Sequence, residues 1–145
     1  MCYDIVTLEP EDPVVMNAVN AIIKGTGAIP GPNGNYRFIA GNAVHVEGDG
    51  GANSQVLVVV AHGNANSLSG YSSWADFRNS VSVNVDWANK TTVYLAACST
   101  AGEDGAQFLH GNIANEVKAA FPNATVWASS SNVGSGTQSG DWHKL

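Results

Sequence analysis

Two side chains that can do chemistry, an imidazole and a thiol, each follow a short apolar run. His62 comes after residues 56–61, and Cys98 comes after residues 92–97. Short apolar runs rich in β-branched residues are typical of strands buried on both faces of a parallel sheet. In such sheets the ligand crevice lies beyond the carboxyl ends of the strands. If the two runs are neighbouring strands, they bring together an imidazole and a thiol, the minimum machinery for thiol nucleophilic catalysis.

Each member of this pair has a role in acyl transfer. His62 can take the proton of the Cys98 thiol, since the thiolate is the nucleophile. The backbone N–H groups of Gly63 and Cys98 can form an oxyanion hole, because a residue without Cβ lets a reacting carbonyl approach closely. Asp4 or Asp49 is a candidate for orienting the imidazole, although each is better explained as an ordinary charge at a turn or strand end. Taken alone, Cys98 is better explained as a small buried hydrophobe.

The same residues carry a resemblance to a known group of enzymes. A strand that runs into His62-Gly63 and a second that runs into Ala97-Cys98 resemble the caspase-like cysteine peptidases of clan CD, which include caspases, gingipains, clostripain, legumain and the CHAT-type peptidases. The second half of the chain is similar to a caspase-like domain found at the start of large bacterial adhesins. The resemblance implies a His62–Cys98 dyad that hydrolyses peptide bonds, in self-processing or on a dedicated partner, with Gly63 as an oxyanion donor.

The resemblance also implies a substrate pocket beside the strand that ends at Cys98. Ala97 lies in that strand, and Ser129 and Ser130 follow the next predicted strand at the same edge, so we expect these three residues to line the pocket. The chain departs from its relatives after residues 124–129, where many of them continue with another strand and pocket loops. Its few cations are dispersed, so we expect no activation by inositol hexakisphosphate.

Composition and charge narrow the function classes. The 145 residues fit one domain, and the net charge of −6 with six scattered Lys and Arg argues against a nucleic-acid partner. The longest apolar run, at 56–61, is too short to cross a bilayer, and no signal-peptide pattern is evident, which favours a cytoplasmic location. We expect a peptide or protein substrate and no metal or organic cofactor, and the oligomeric state stays open.

The elements that must position the pair alternate between strand and helix. Strands are predicted at 3–8, 56–61, 92–97 and 124–129, a hairpin at 36–46, and either a minor strand or an extended edge at 81–85. One helix should begin at Asp12-Pro13 and end at Gly25, a short one should follow Ser73, and a third should cover 100–120. This order predicts a single caspase-like domain over 1–145, an α/β fold in which a mostly parallel sheet of about five to six strands lies in a three-layer αβα sandwich.

Two other functions fit the same sequence. One is a catalytically inactive caspase-like module that binds a partner through the rim or a sheet edge. The other is a flavodoxin-like domain for a small ligand or for electron transfer, but the first strand–helix connection, residues 9–13, is acidic and lacks glycine, which does not suit a bound phosphate. His45, Glu47 and Asp49 lack a second cluster of ligands, so no metal site is predicted there.

Overall fold

The computed structural model describes residues 2–26, 29, 32, 34–42, 45–50, 53–64, 66–97, 113–129 and 142–145. In this part of the chain a mostly parallel sheet carries helices on both faces. The strands are β1 (Cys2–Thr7), β2 (Asn35–Ala40), β3 (His45–Glu47), β4 (Val56–Val60), β5 (Gly63–Asn64), β6 (Ser67–Leu68), β7 (Thr92–Ala96), β8 (Thr125–Ser129) and β9 (Trp142–Lys144). The α-helices are α1 (Pro13–Lys24), α2 (Trp74–Asn79) and α3 (Ile113–Ala120), and a 3-10 turn covers Trp87–Asn89.

The main sheet has seven strands in the order β3-β2-β1-β4-β7-β8-β9. The five inner strands are parallel, and β3 and β9 run antiparallel to their neighbours at the two edges. The chain leaves β1 towards β2 on one side, and it leaves β4 towards β7 and β8 on the other. The strand order therefore reverses between β1 and β4, and ligand crevices in open α/β sheets lie outside the carboxyl ends of the strands at such a point.

The continuous apolar strands follow from burial of the sheet on both faces. Alternate residues point to opposite faces, so Val58 and Val60 of β4 pack in the core beneath α1, whereas Leu57 and Val59 pack in the core beneath α2 and α3. This arrangement fits the predicted α/β class and is compatible with three layers. No helix in the described residues is long and apolar enough to span a membrane.

Helix α1 begins and ends where the sequence predicts. The Asp12 Oδ1 accepts hydrogen bonds from the backbone N–H groups of Val14 and Val15, at 2.9 and 3.1 Å. Gly25 ends the helix in the left-handed region with φ of 70°, which favours glycine. These two caps fix α1 directly after β1, so the acidic connection lies at the carboxyl edge of the sheet.

Two features of the sheet and its connections differ from expectation. The minor strand at 81–85 is wrong: its three valines are partly or fully buried against the core beneath α2 and α3 and the residues between them are exposed, but no strand of the described chain pairs with this segment. The sheet has seven strands rather than five to six, because β9 pairs with β8, with Ser129 opposite Trp142. The chain thus does add a strand after β8. Of the predicted helix at 100–120, residues 100–112 lie outside the described residues.

Candidate active site

The two strands that precede the predicted dyad are neighbours. Strands β4 and β7 pair in parallel with Val60 opposite Ala96. His62 lies two residues beyond Val60, and Ala97 directly follows β7 at the same edge of the sheet. Cys98 lies outside the described residues. The structure therefore confirms that the strands are adjacent and parallel, and the pairing of His62 with the thiol stays a prediction.

The imidazole of His62 lies at the point where the strand order reverses. It extends from the end of β4 over the connection between β1 and α1, where its Nε2 is 2.9 Å from the Oδ2 of Asp12. About half of the His62 side chain is exposed, with a relative accessibility of 52%. The ring is thus both open to an incoming molecule and held by a carboxylate.

The two carboxylate oxygens of Asp12 have different partners. Oδ1 caps α1, and Oδ2 faces His62. The pKa of Asp12 is lowered, chiefly by the hydrogen bond from the Val15 N–H. Desolvation, the next largest effect, raises it, and the bond to His62 and the bond from the Val14 N–H lower it further. Donors to a carboxylate stabilise its charged form, so Asp12 is an anion beside the imidazole at neutral pH.

Neither of the two candidates for orienting His62, Asp4 or Asp49, contacts the ring, and the preferred explanation as an ordinary exposed charge holds for Asp49 but not for Asp4. Asp4 is buried near the start of β1, at the opposite end of the sheet, where it binds Arg37 and Lys90. Asp49 is exposed after β3. The sequence indicated Asp12 as a helix cap, and a cap uses one oxygen; only the approach of β4 to β1 brings the second oxygen to His62.

Glu9 holds the backbone of His62 from the same connection. Its Oε2 accepts from the His62 N–H at 2.9 Å and from the Ser69 hydroxyl at 2.8 Å. The Ser69 N–H donates in turn to the His62 carbonyl at 2.7 Å. Both backbone polar groups of His62 are therefore satisfied, and the ring is positioned from its backbone as well as from its Nε2.

Gly63 begins the small hairpin of β5 and β6, in which it lies opposite Leu68. The bond from the Ser69 N–H to the His62 carbonyl flanks this position, so Gly63 and Leu68 form the pair that exchanges no hydrogen bonds with each other. The N–H of Gly63 consequently points away from β6. The hairpin therefore does not engage this N–H, and its role as an oxyanion donor stays a prediction.

Two of the three predicted pocket residues lie in the described part of the chain. Ala97 directly follows β7, and Ser129 is the last residue of the neighbouring strand β8. Both lie at the carboxyl edge of the sheet, as His62 does. Both are buried, with 2% and 0% of their surface exposed. Ser130 lies outside the described residues. The pocket assignment therefore stays a prediction for all three residues.

Among the described residues, one group of His and acidic side chains has the spacing of metal ligands. Glu9, Asp12 and His62 each offer one ligand atom, and these atoms lie within 4.8 Å of one another. Asp12 and Glu9 already accept hydrogen bonds from the backbone, and the positive end of the α1 dipole disfavours a cation. In the group at β3, the exposed side chains of His45 and Glu47 contact each other, with Nε2 3.4 Å from Oε2.

The lowered pKa of Asp12 predicts a pH-dependent helix start. A carboxyl whose pKa is lower in the folded state than in the unfolded state stabilises the fold at pH values above its unfolded-state pKa. This stabilisation is lost as the pH falls through the folded-state pKa. We expect a carbon-13 NMR titration to place the pKa of Asp12 below the ordinary value for an aspartate side chain. His62→Ala should raise that pKa only in part, because the Val15 N–H is the largest cause of the shift. Titration of Asp12 at its ordinary value would contradict the cap geometry.

The sequence carried no signal for the joint role of Glu9, Asp12 and Ser69 around His62, apart from the acidic composition of residues 9–12. Glu9 and Asp12 lie 53 and 50 residues before His62, and Ser69 lies in an ordinary turn, so the sequence does not indicate these contacts. Comparison of the chain with models of known protein families and with curated proteins gives no match. The function is therefore inferred from the chemistry of these residues.

Proposed function

We propose that this chain is a cysteine peptidase of the caspase-like type, with Cys98 as nucleophile and His62 as general base. The observation that supports it best is the position of His62. Its ring is half exposed at the carboxyl edge, on the strand next to the one that leads into Cys98, and a carboxylate holds its Nε2. An exposed imidazole fixed in this way suits proton transfer better than it suits packing.

In the proposed reaction, His62 takes the proton of the Cys98 thiol, and the thiolate sulfur forms a bond to the substrate carbonyl carbon. The N–H groups of Gly63 and Cys98 stabilise the resulting oxyanion. The C–N bond then breaks, and the leaving amine receives the proton from His62. Water attacks the acyl-thioester, gives its proton to His62, and the C–S bond breaks; the proton returns to the sulfur.

The geometry of the β1–α1 connection disfavours the flavodoxin-like alternative. The five parallel strands have an order that also serves flavin-binding folds, in which backbone N–H groups at this connection face a phosphate. Here the carboxylate of Asp12 already takes the N–H groups of Val14 and Val15, and the carboxylate of Glu9 takes that of His62. Internal anions thus occupy the donors that a phosphate would need.

Reactivity of the thiol tests the proposal without knowledge of the substrate. Cys2 is exposed and free, so it is replaced with serine to leave Cys98 as the one thiol of the chain. We expect iodoacetamide to alkylate Cys98 at neutral pH and His62→Ala to slow alkylation by about tenfold or more, because the base that favours thiolate is gone.

His45→Ala is the matched control, since His45 is an equally exposed histidine whose Nε2 lies 3.4 Å from a carboxylate oxygen of Glu47. It should leave the alkylation rate unchanged. A Cys98 that does not react, or that reacts at the same rate without His62, would contradict the proposal and favour the inactive binding module.

A further inference from the structure

We infer that Asp12 is a positioning residue that fixes the tautomer of His62, so that Nδ1 is the nitrogen that accepts the thiol proton. The inference rests on the proposed function for the identity of the base, but its geometry is independent of Cys98. It assigns Asp12 two roles at once, the cap of α1 and the orienting group of the imidazole.

The hydrogen bonds of Asp12 leave one arrangement of protons. A carboxylate accepts hydrogen bonds and has none to donate, so a neutral imidazole bonded to Oδ2 must carry its proton on Nε2. The lone pair is then on Nδ1. The other oxygen, Oδ1, is engaged by the N–H groups of Val14 and Val15, which prevents the carboxylate from turning away from the ring.

Glu9 does not compete with Asp12 for the ring. Its Oε2 is engaged by the His62 N–H and the Ser69 hydroxyl, so Glu9 sets the backbone while Asp12 sets the ring. The helix cap also makes the orienting group rigid, because Asp12 is held by the first turn of α1 rather than by a flexible loop. Nucleophilic catalysis needs a third group that orients the base, and a rigid partner on Nε2, the ring nitrogen that does not accept the thiol proton, supplies it.

Asp12→Asn separates the two roles of the residue. Asparagine caps helices about as well as aspartate, but only its oxygen can accept from Val14 and Val15. Its NH₂ group must therefore face the Nε2 of His62. A donor at that position forces Nε2 to accept, so the ring proton moves to Nδ1 and the base nitrogen is lost.

The tautomer is read by nitrogen-15 NMR of the His62 ring in the full chain, in a Cys98→Ala background with EDTA present to remove adventitious cations. At a pH where the ring is neutral, we expect the proton on Nε2 with Asp12 and on Nδ1 with Asp12→Asn. Glu11→Gln, an exposed acid in the same connection, is the matched control and should leave Nε2 protonated. Asp12→Ser, which keeps a cap but is shorter, should give a mixture of both tautomers.

With Cys98 present, Asp12→Asn should lower peptide cleavage by about 10²- to 10⁴-fold while the unfolding midpoint stays close to that of the parent. An unchanged tautomer in Asp12→Asn would overturn the inference, even if Cys98 is reactive and depends on His62. A switched tautomer with an unreactive Cys98 would support the role of Asp12 and contradict the proposed function. The two failures are thus distinguishable.

Discussion

Replacing Cys98 with alanine should abolish peptide cleavage, and replacing His62 with alanine should lower kcat/KM by about 10²- to 10⁴-fold. The first change removes the atom that forms the acyl-thioester, so no covalent route is left. The second removes the group that moves the proton, while the thiol keeps a small reactive fraction as thiolate. Digestion of a peptide library, read by mass spectrometry, measures both effects and reports the cleavage preference of the parent chain.

His45→Ala serves as the control in this digest because His45 is exposed in the edge strand β3. Strands β2, β1 and β4 lie between β3 and β7 in the sheet. It should cleave as the parent does. Equal cleavage by the parent, Cys98→Ala and His62→Ala would show that the activity in the sample does not depend on these two residues, and would contradict the proposed dyad.

Replacing Asp4 with asparagine should lower the free energy of unfolding by about 3–5 kcal/mol, the range for breaking a buried ion pair. The Asp4 side chain is fully buried, and its Oδ2 lies 2.8 Å from Arg37 Nη2 and 3.0 Å from Lys90 Nζ. Lys90 is also fully buried and donates to the Ser54 carbonyl. Asparagine would leave these cations without a counter-charge in the interior. Urea unfolding monitored by tryptophan fluorescence measures the loss.

Burial already lowers the pKa of Lys90, and the bond to Asp4 opposes that shift. Removal of the unpaired cation should therefore recover part of the stability. We expect the double variant Asp4→Asn/Lys90→Met to be more stable than the sum of the two single losses predicts, since contacting residues couple.

Asp49→Asn is the control for this stability series, because Asp49 is exposed and its substitution should change stability by no more than about 0.5 kcal/mol. A loss in Asp4→Asn as small as that of Asp49→Asn would contradict a buried, charge-paired Asp4. The measurement tests a purely structural role for the Asp4 cluster, which lies at the end of the sheet opposite His62.

The strands and helix caps were largely predictable from the sequence because their signals are local. The apolar runs at 56–61 and 92–97 predicted buried parallel strands, and β4 and β7 confirm them. Asp12, Pro13 and Gly25 predicted the bounds of α1 for reasons that lie within one helical turn. The alternating valines at 81–85 misled because packing on one face produces the same alternation as strand pairing.

The surroundings of His62 depended on the tertiary structure. The sequence identified the imidazole, but its partners Asp12 and Glu9 lie some 50 residues earlier, on the far side of the point where the strand order reverses. Asp4 was misjudged for the same reason, since Lys90, a cation that compensates its buried charge, comes from a distant segment. Residue patterns report burial and turns, which are set by neighbours in sequence. Which two charged groups meet is set by which strands pair, and only the folded sheet decides that.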